Sequence, residues 1–128
     1  MRMYAKNIAV EDQAKALEVY TKKLGFIVKH DIPLGQHRWL TVVSPEEPEG
    51  VELVLKPNDL PASREYQKAL MQDGIPVTAF SVDDIEAEVV RLQGLGISFT
   101  QPPMKAGGAI MAVFDDTCGN LIQLNQLL

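Results

Sequence analysis

Cysteine is nearly missing: Cys118 stands alone among 128 residues. No disulfide can form within the chain, which fits a reducing compartment, and a cytoplasmic location is expected. Positive charge is also scarce. Twelve Lys and Arg against 17 Asp and Glu leave a net charge of −5, and no basic stripe interrupts that balance. A phosphate backbone would be repelled, so no nucleic-acid partner is expected. No apolar run nears the roughly 20 residues that span a bilayer, so no membrane partner is expected either. Acidic residues interrupt MRMYAKNIAVEDQ before an apolar signal core can form, and no signal peptide is expected. The chain has no phosphate-cradling glycine loop, no CxxC pair and no Ser-His-Asp arrangement.

One plan is stated twice. VEDQAKALEVYTKKLGF starts at Val10, and VDDIEAEVVRLQGLGI starts at Val82. Asp12 and Asp84 are 84 − 12 = 72 residues apart, and each stands where a helix would begin, ready to accept from free backbone N–H groups. Asp83 with Glu86 also reads as a capping box. Ala16, Leu17, Tyr20 and Leu24 make one apolar stripe, and Ile85, Val89 and Leu92 another. Gly25 and Gly96 read as helix stops, with the second helix one residue shorter. Ahead of the helices, YAKNIAV and VTAFSV alternate as strands: Ile8, Val10, Phe80 and Val82 point one way. Ala5, Asn7, Ala9, Val77, Ala79 and Ser81 point the other.

Three strands follow each helix. FIVKHDI, the turn-like PLGQ, HRWLTVV, the acidic turn SPEEPEG and VELVLKP complete the first set. ISFTQ, the turn-like PPMKAGG, AIMAVF, the turn DDTCGN and LIQLNQL complete the second. The expected organisation is one domain of two βαβββ modules, 1–57 and 75–128, joined by a linker over 58–74 with a short helix at Ser63–Met71. Tyr66 in that helix is expected to pack or to cover the mouth of a pocket. A lone four-stranded sheet with one helix leaves a face uncovered, which is a physical reason for duplication.

The opening phrase resembles V-x-D-x-x-x-A-x-x-F-Y-x-x-x-L-G-F, and AVFDDTCGNLIQL resembles the closing F-x-D-P-D-G-N-L-I-E-L, of the vicinal oxygen chelate superfamily. That superfamily includes glyoxalase I, bleomycin-resistance proteins and extradiol dioxygenases. The resemblance runs through nearly the whole chain. It implies an α+β fold in which two tandem βαβββ modules form a cup-like, partly open mixed β-sheet barrel with helices outside. It also implies a small-molecule ligand, often a divalent metal, and pairing as a homodimer.

Metal-binding members usually carry His or Gln early in the first strand of each module and Glu in the last. The early positions here are Ala5 and Val77, which have no donor atoms. The late positions are Gln123 and, by aligning Gly50 with Gly119, Val54; Glu52 lies two residues earlier. One carboxylate and one amide fall short of the four to six ligands a divalent ion takes, so no cofactor is expected. Candidate ligand-binding residues are Asn7, His30, Arg38, Trp39, Glu52 and Gln123. His30 is expected to share a strand face with Phe26, Val28 and Ile32, as a hydrogen-bonded side chain or a base. Arg38, beside His37, would bind an anionic group, or lie in solvent; Trp39 would stack on a planar ligand or pack in the core. Cys118 has no activating neighbour in the sequence, and no catalytic residue is assigned. Two functions stay open. The preferred one is metal-free binding of a small organic molecule. The alternative is a lyase, isomerase or dioxygenase on a substrate with adjacent oxygen atoms, with a divalent metal on Glu52 and Gln123 or acid–base work by His30.

Overall fold

The computed structural model describes residues 1–128. It is α+β, as expected, and two compact units divide it, Met1–Arg64 and Glu65–Leu128. In the first, β1 (Ala5–Val10) is followed by α1 (Gln13–Glu18), a π-helical turn (Val19–Lys23), β2 (Ile27–Leu34), β3 (His37–Val43) and β4 (Glu52–Pro57). Its sheet has the order β1-β4-β3-β2, with β1 parallel to β4 and the remaining pairs antiparallel. The helix α2 (Pro61–Asp73) crosses the division between units. The second unit repeats the plan with β5 (Thr78–Ser81), α3 (Ile85–Gly94), β6 (Phe99–Ala106), β7 (Ala109–Asp115) and β8 (Leu121–Leu127), in the order β5-β8-β7-β6.

Each sheet buries the face that its alternation makes apolar. In the first unit α1 packs on β3 and β4, and Ile8, Val10, Leu40, Val42 and Leu55 are buried with Ala16, Val19 and Tyr20. In the second, α3 packs on β6, β7 and β8, with Ile85, Val89 and Leu92 buried alongside Ala112, Phe114, Ile122 and Leu124. Each large side chain so buried contributes about 1.5–3 kcal/mol over leaving it exposed. The caps are as expected. Asp12 accepts from the Lys15 N–H and Asp84 from the Ala87 N–H, both at 3.1 Å. Gly25 and Gly96 stop the helices at φ +89° and +87°, a conformation that penalises any Cβ.

Four expectations need correction. The first apolar stripe shifts, because a π turn absorbs the expected extra residue, (25 − 12) − (96 − 84) = 1: the Leu24 N–H donates to the Val19 carbonyl, five residues back. The wider turn brings Val19 into the core, leaving Leu17 half-buried. Asp84, the extended residue before α3, is the cap, so the Asp83–Glu86 box does not form the helix start. The linker helix is longer than Ser63–Met71, and Tyr66 points outward. PPMKA is strand rather than turn, because its prolines lie in β6, an edge strand with register shifts where missing N–H groups break no continuous ladder.

Candidate functional site

A β-bulge aims the site. Val28 pairs with Val42, yet His30 pairs with Thr41, so β2 advances two residues while β3 advances one. An extra residue of this kind breaks the alternation and turns the next side chain to a new face. Val28 is therefore matched to the Val42 register, which belongs to the helix side, and His30 to Thr41 on the other. The shared face expected for Val28 and His30 does not exist. No local pattern announces the bulge; only the pairing with β3 reveals it.

Three polar side chains then meet across three strands. The Thr41 hydroxyl donates to Glu52 Oε1 at 2.8 Å and accepts from the His30 backbone N–H at 3.2 Å. His30 Nε2 is 3.6 Å from the same carboxylate oxygen, an ion-pair distance too long for a hydrogen bond. Thr41 is fully buried, and Glu52 is 4% exposed. Sequence reasoning singled out His30 and Glu52 but missed Thr41. The available signal was a hydroxyl inside the apolar run LTVV, at a position alternating with Trp39.

The other candidates are placed differently. Asn7 pairs with Val54 and Ala5 with Glu52, so both β1 residues lie on the Glu52 face; Asn7 is exposed. Trp39 pairs with Ile32 on that face and is half-buried. Arg38 alternates to the helix side with Leu40. There the Gln13 amide accepts from its backbone N–H at 3.0 Å and donates to its carbonyl and that of Leu55, each at 2.8 Å. The Arg38 guanidinium lies 3.6 Å from Asp31, with Nη1 buried and unpaired. His37 contacts Asp59 through Nε2, away from the Glu52 group. In the second unit, considered by itself, Gln123 donates to Asn125 Oδ1 at 2.8 Å.

The β7–β8 turn is closed by its own chemistry. Asp116, fully buried, accepts from the N–H groups of Cys118 and Asn120 and from the Asn120 amide. Gln67 of α2 donates to Asn120 Oδ1 at 3.2 Å. Cys118 is buried inside this turn, which accounts for it structurally.

The donor set does not fit the divalent metal found in many members of the resembled superfamily. No three His, Cys, Asp or Glu side chains gather so as to hold an ion. Ala5 and Val77 supply no donor, and Gln123 is engaged by Asn125.

Comparison with known proteins gives a consistent picture. The family profile of the Glyoxalase/Bleomycin resistance protein/Dioxygenase superfamily matches residues 4–124. A Bacillus subtilis (strain 168) protein, "Uncharacterized protein YurT", is 52% identical over 126 residues, covering 98% of this chain and 99% of its own. The crystal structure of UcmS2 superposes with a TM-score of 0.84 at 36% identity, over 98% of this chain and 97% of that one. TnmS3, an antibiotic binding protein from Streptomyces sp. CB03234, superposes with a TM-score of 0.75 at 26% identity, over 100% and 97%. The chain belongs to the Glyoxalase/Bleomycin resistance protein/Dioxygenase superfamily.

Proposed function

We propose that this protein binds a small organic molecule without a metal, on the sheet face that carries Glu52. The reading rests on one observation: a nearly buried carboxylate, oriented by Thr41, sits where the duplicated plan offers no metal ligands. A few fixed polar groups on an otherwise apolar wall orient a ligand, and the wall supplies most of the affinity. Trp39, half-buried, stands on the same face, and Asn7 adds a further polar contact at its edge. The likeness to TnmS3, an antibiotic binding protein, supports a small organic ligand.

The test is a thermal-shift screen of antibiotics and aromatic metabolites in the presence of a chelator. A ligand at 100 times its Kd raises stability by about 2.7 kcal/mol, which a melting curve resolves easily. Saturable shifts that persist with the chelator support the reading; shifts that need an added divalent ion sink it. Acid–base catalysis has one observation in its favour, His30 beside Glu52. It requires that a bound compound be converted, whereas simple binding returns it unchanged. Homodimerisation is part of the proposal: edge strand β2 exposes Ile27, Val28, Ile32 and Leu34, a surface suited to a second copy. Light scattering should give twice the chain mass. Action in the cytoplasm, where the single thiol stays reduced, completes the proposal.

A further inference from the structure

We infer that Glu52 is the docking point for a positively charged nitrogen of the ligand: an ammonium, amidinium or guanidinium group. This deepens the binding reading above and rests on it. A carboxylate that is 4% exposed loses most of its hydration, a cost that proteins ordinarily offset with a cation and several hydrogen bonds. Glu52 receives little of either. Thr41 supplies one hydrogen bond to Oε1, and His30 stands at 3.6 Å from that same oxygen.

No lysine or arginine pairs with Glu52. Lys29, next to His30, turns instead to the Glu49 carboxylate at 3.2 Å and to the Pro48 carbonyl. Arg38 lies by Asp31 on the other face. Oε2 of Glu52 accepts no hydrogen bond and is not wholly enclosed. One oxygen is thus fixed by the fold while the other has no donor.

The duplicated position sharpens the point. Ala5 pairs with Glu52 in the first unit; in the second, the Val77 N–H bonds to the carbonyl of Leu121, which is 3% exposed. The same place in the second module is filled by a leucine, so the architecture needs no charge there. A buried anion retained where an aliphatic chain suffices is poised for a partner that arrives from outside. A cationic nitrogen supplies both the opposite charge and the missing donors in a charge-assisted hydrogen bond. A neutral hydroxyl supplies only a weaker one.

The experiment compares three indole probes of similar size by calorimetric titration at low salt: tryptamine, tryptophol and indole-3-propionate. Wild-type protein should bind tryptamine about tenfold or more tighter than tryptophol, with the propionate weakest. Glu52→Gln, which keeps the shape and the Thr41 contact, should narrow the first gap to about twofold or less. Independently of any ligand, Glu52→Gln should raise the Tm of the free protein by about 2–5 °C, because a reserved charge is removed. Glu52→Leu, which copies the second module, should rise likewise. Equal binding of all three probes, or a charge preference that survives Glu52→Gln, overturns the inference and leaves the binding reading standing. A fall in Tm for both variants overturns it too, by making Glu52 a structural partner of His30. No binding by any probe, in protein that also gives no shift with antibiotics, overturns both.

Discussion

The two modules share a backbone and differ in chemistry. Their bulges coincide: Val28 and His30 pair with Val42 and Thr41, as Phe99 and Gln101 pair with Phe114 and Val113. The offsets are 99 − 28 = 71 and 101 − 30 = 71 on one strand, and 114 − 42 = 72 and 113 − 41 = 72 on the next. Duplication therefore preserved the device that swings a side chain to the face opposite the helix. What it presents has changed. The first unit offers His30, Thr41 and Glu52; the second offers Gln101, Val113 and Leu121 at the same places. At these three places only the first unit carries charged groups, and the second keeps amides nearby in Gln101 and Gln123. Strand register tolerates such divergence because it is set by backbone pairing and by the helix-side core, which both halves retain.

Exchanging the two halves' residues is the strongest way to break this comparison. Leu121→Glu should cost about 4 kcal/mol, through loss of a buried leucine and burial of a charge without a Thr41 equivalent. Urea denaturation would measure it, and a near-neutral result would show that the second position is less enclosed than its 3% exposure indicates. Asp116→Ala should cost about 3 kcal/mol, since it strands the N–H groups of Cys118 and Asn120 inside the β7–β8 turn. The β3–β4 turn has no buried anchor: the Ser44 hydroxyl accepts from the Glu46 N–H at an exposed site, and the Gly50 and Glu47 N–H groups bond to main-chain carbonyls, so Glu46→Ala should leave stability within about 0.5 kcal/mol.

The reciprocal exchange, Glu52→Leu, should stabilise the free protein by about 1–2 kcal/mol while abolishing preference for cationic probes. Destabilisation on melting would make Glu52 an integral part of the first sheet. Removing the paired caps should sharpen the likeness instead. Asp12→Ala and Asp84→Ala should each cost about 1 kcal/mol, equal within error, because each cap holds one N–H at the same distance. Smallest of all, Thr117→Gly should raise stability by about 0.5 kcal/mol. A β-branched residue at φ +61° is strained, although the added freedom of glycine when unfolded offsets part of the relief.

The meeting of two of the candidate residues could be read in advance, and the placement of others could not. Glu52 and His30 stood out as polar groups on strands near positions where related proteins hold metals, and they do meet. Arg38 was drawn from the same hairpin, yet its strand alternates it to the helix side, where Gln13 clasps its backbone. Gln123 lies in the last strand of the second module, and its partner is Asn125, two residues along the same strand.

What the sequence determined alone is whatever depends on neighbours along the chain. Two copies of an alternation, an Asp cap and a glycine stop specify two βαβββ modules, because capping and left-handed glycine act within a few residues. Which polar groups would stand together depended on contacts the chain cannot state locally. His30, Thr41 and Glu52 are each 11 residues from the next and lie on three strands, joined only when β2 pairs with β3 and β3 with β4. The extra residue at the bulge decides which face His30 takes, and it has meaning only against the partner strand. Burial of the carboxylate, and with it the case for a cationic ligand, is likewise a property of the folded chain, since only packing removes water from around a charge.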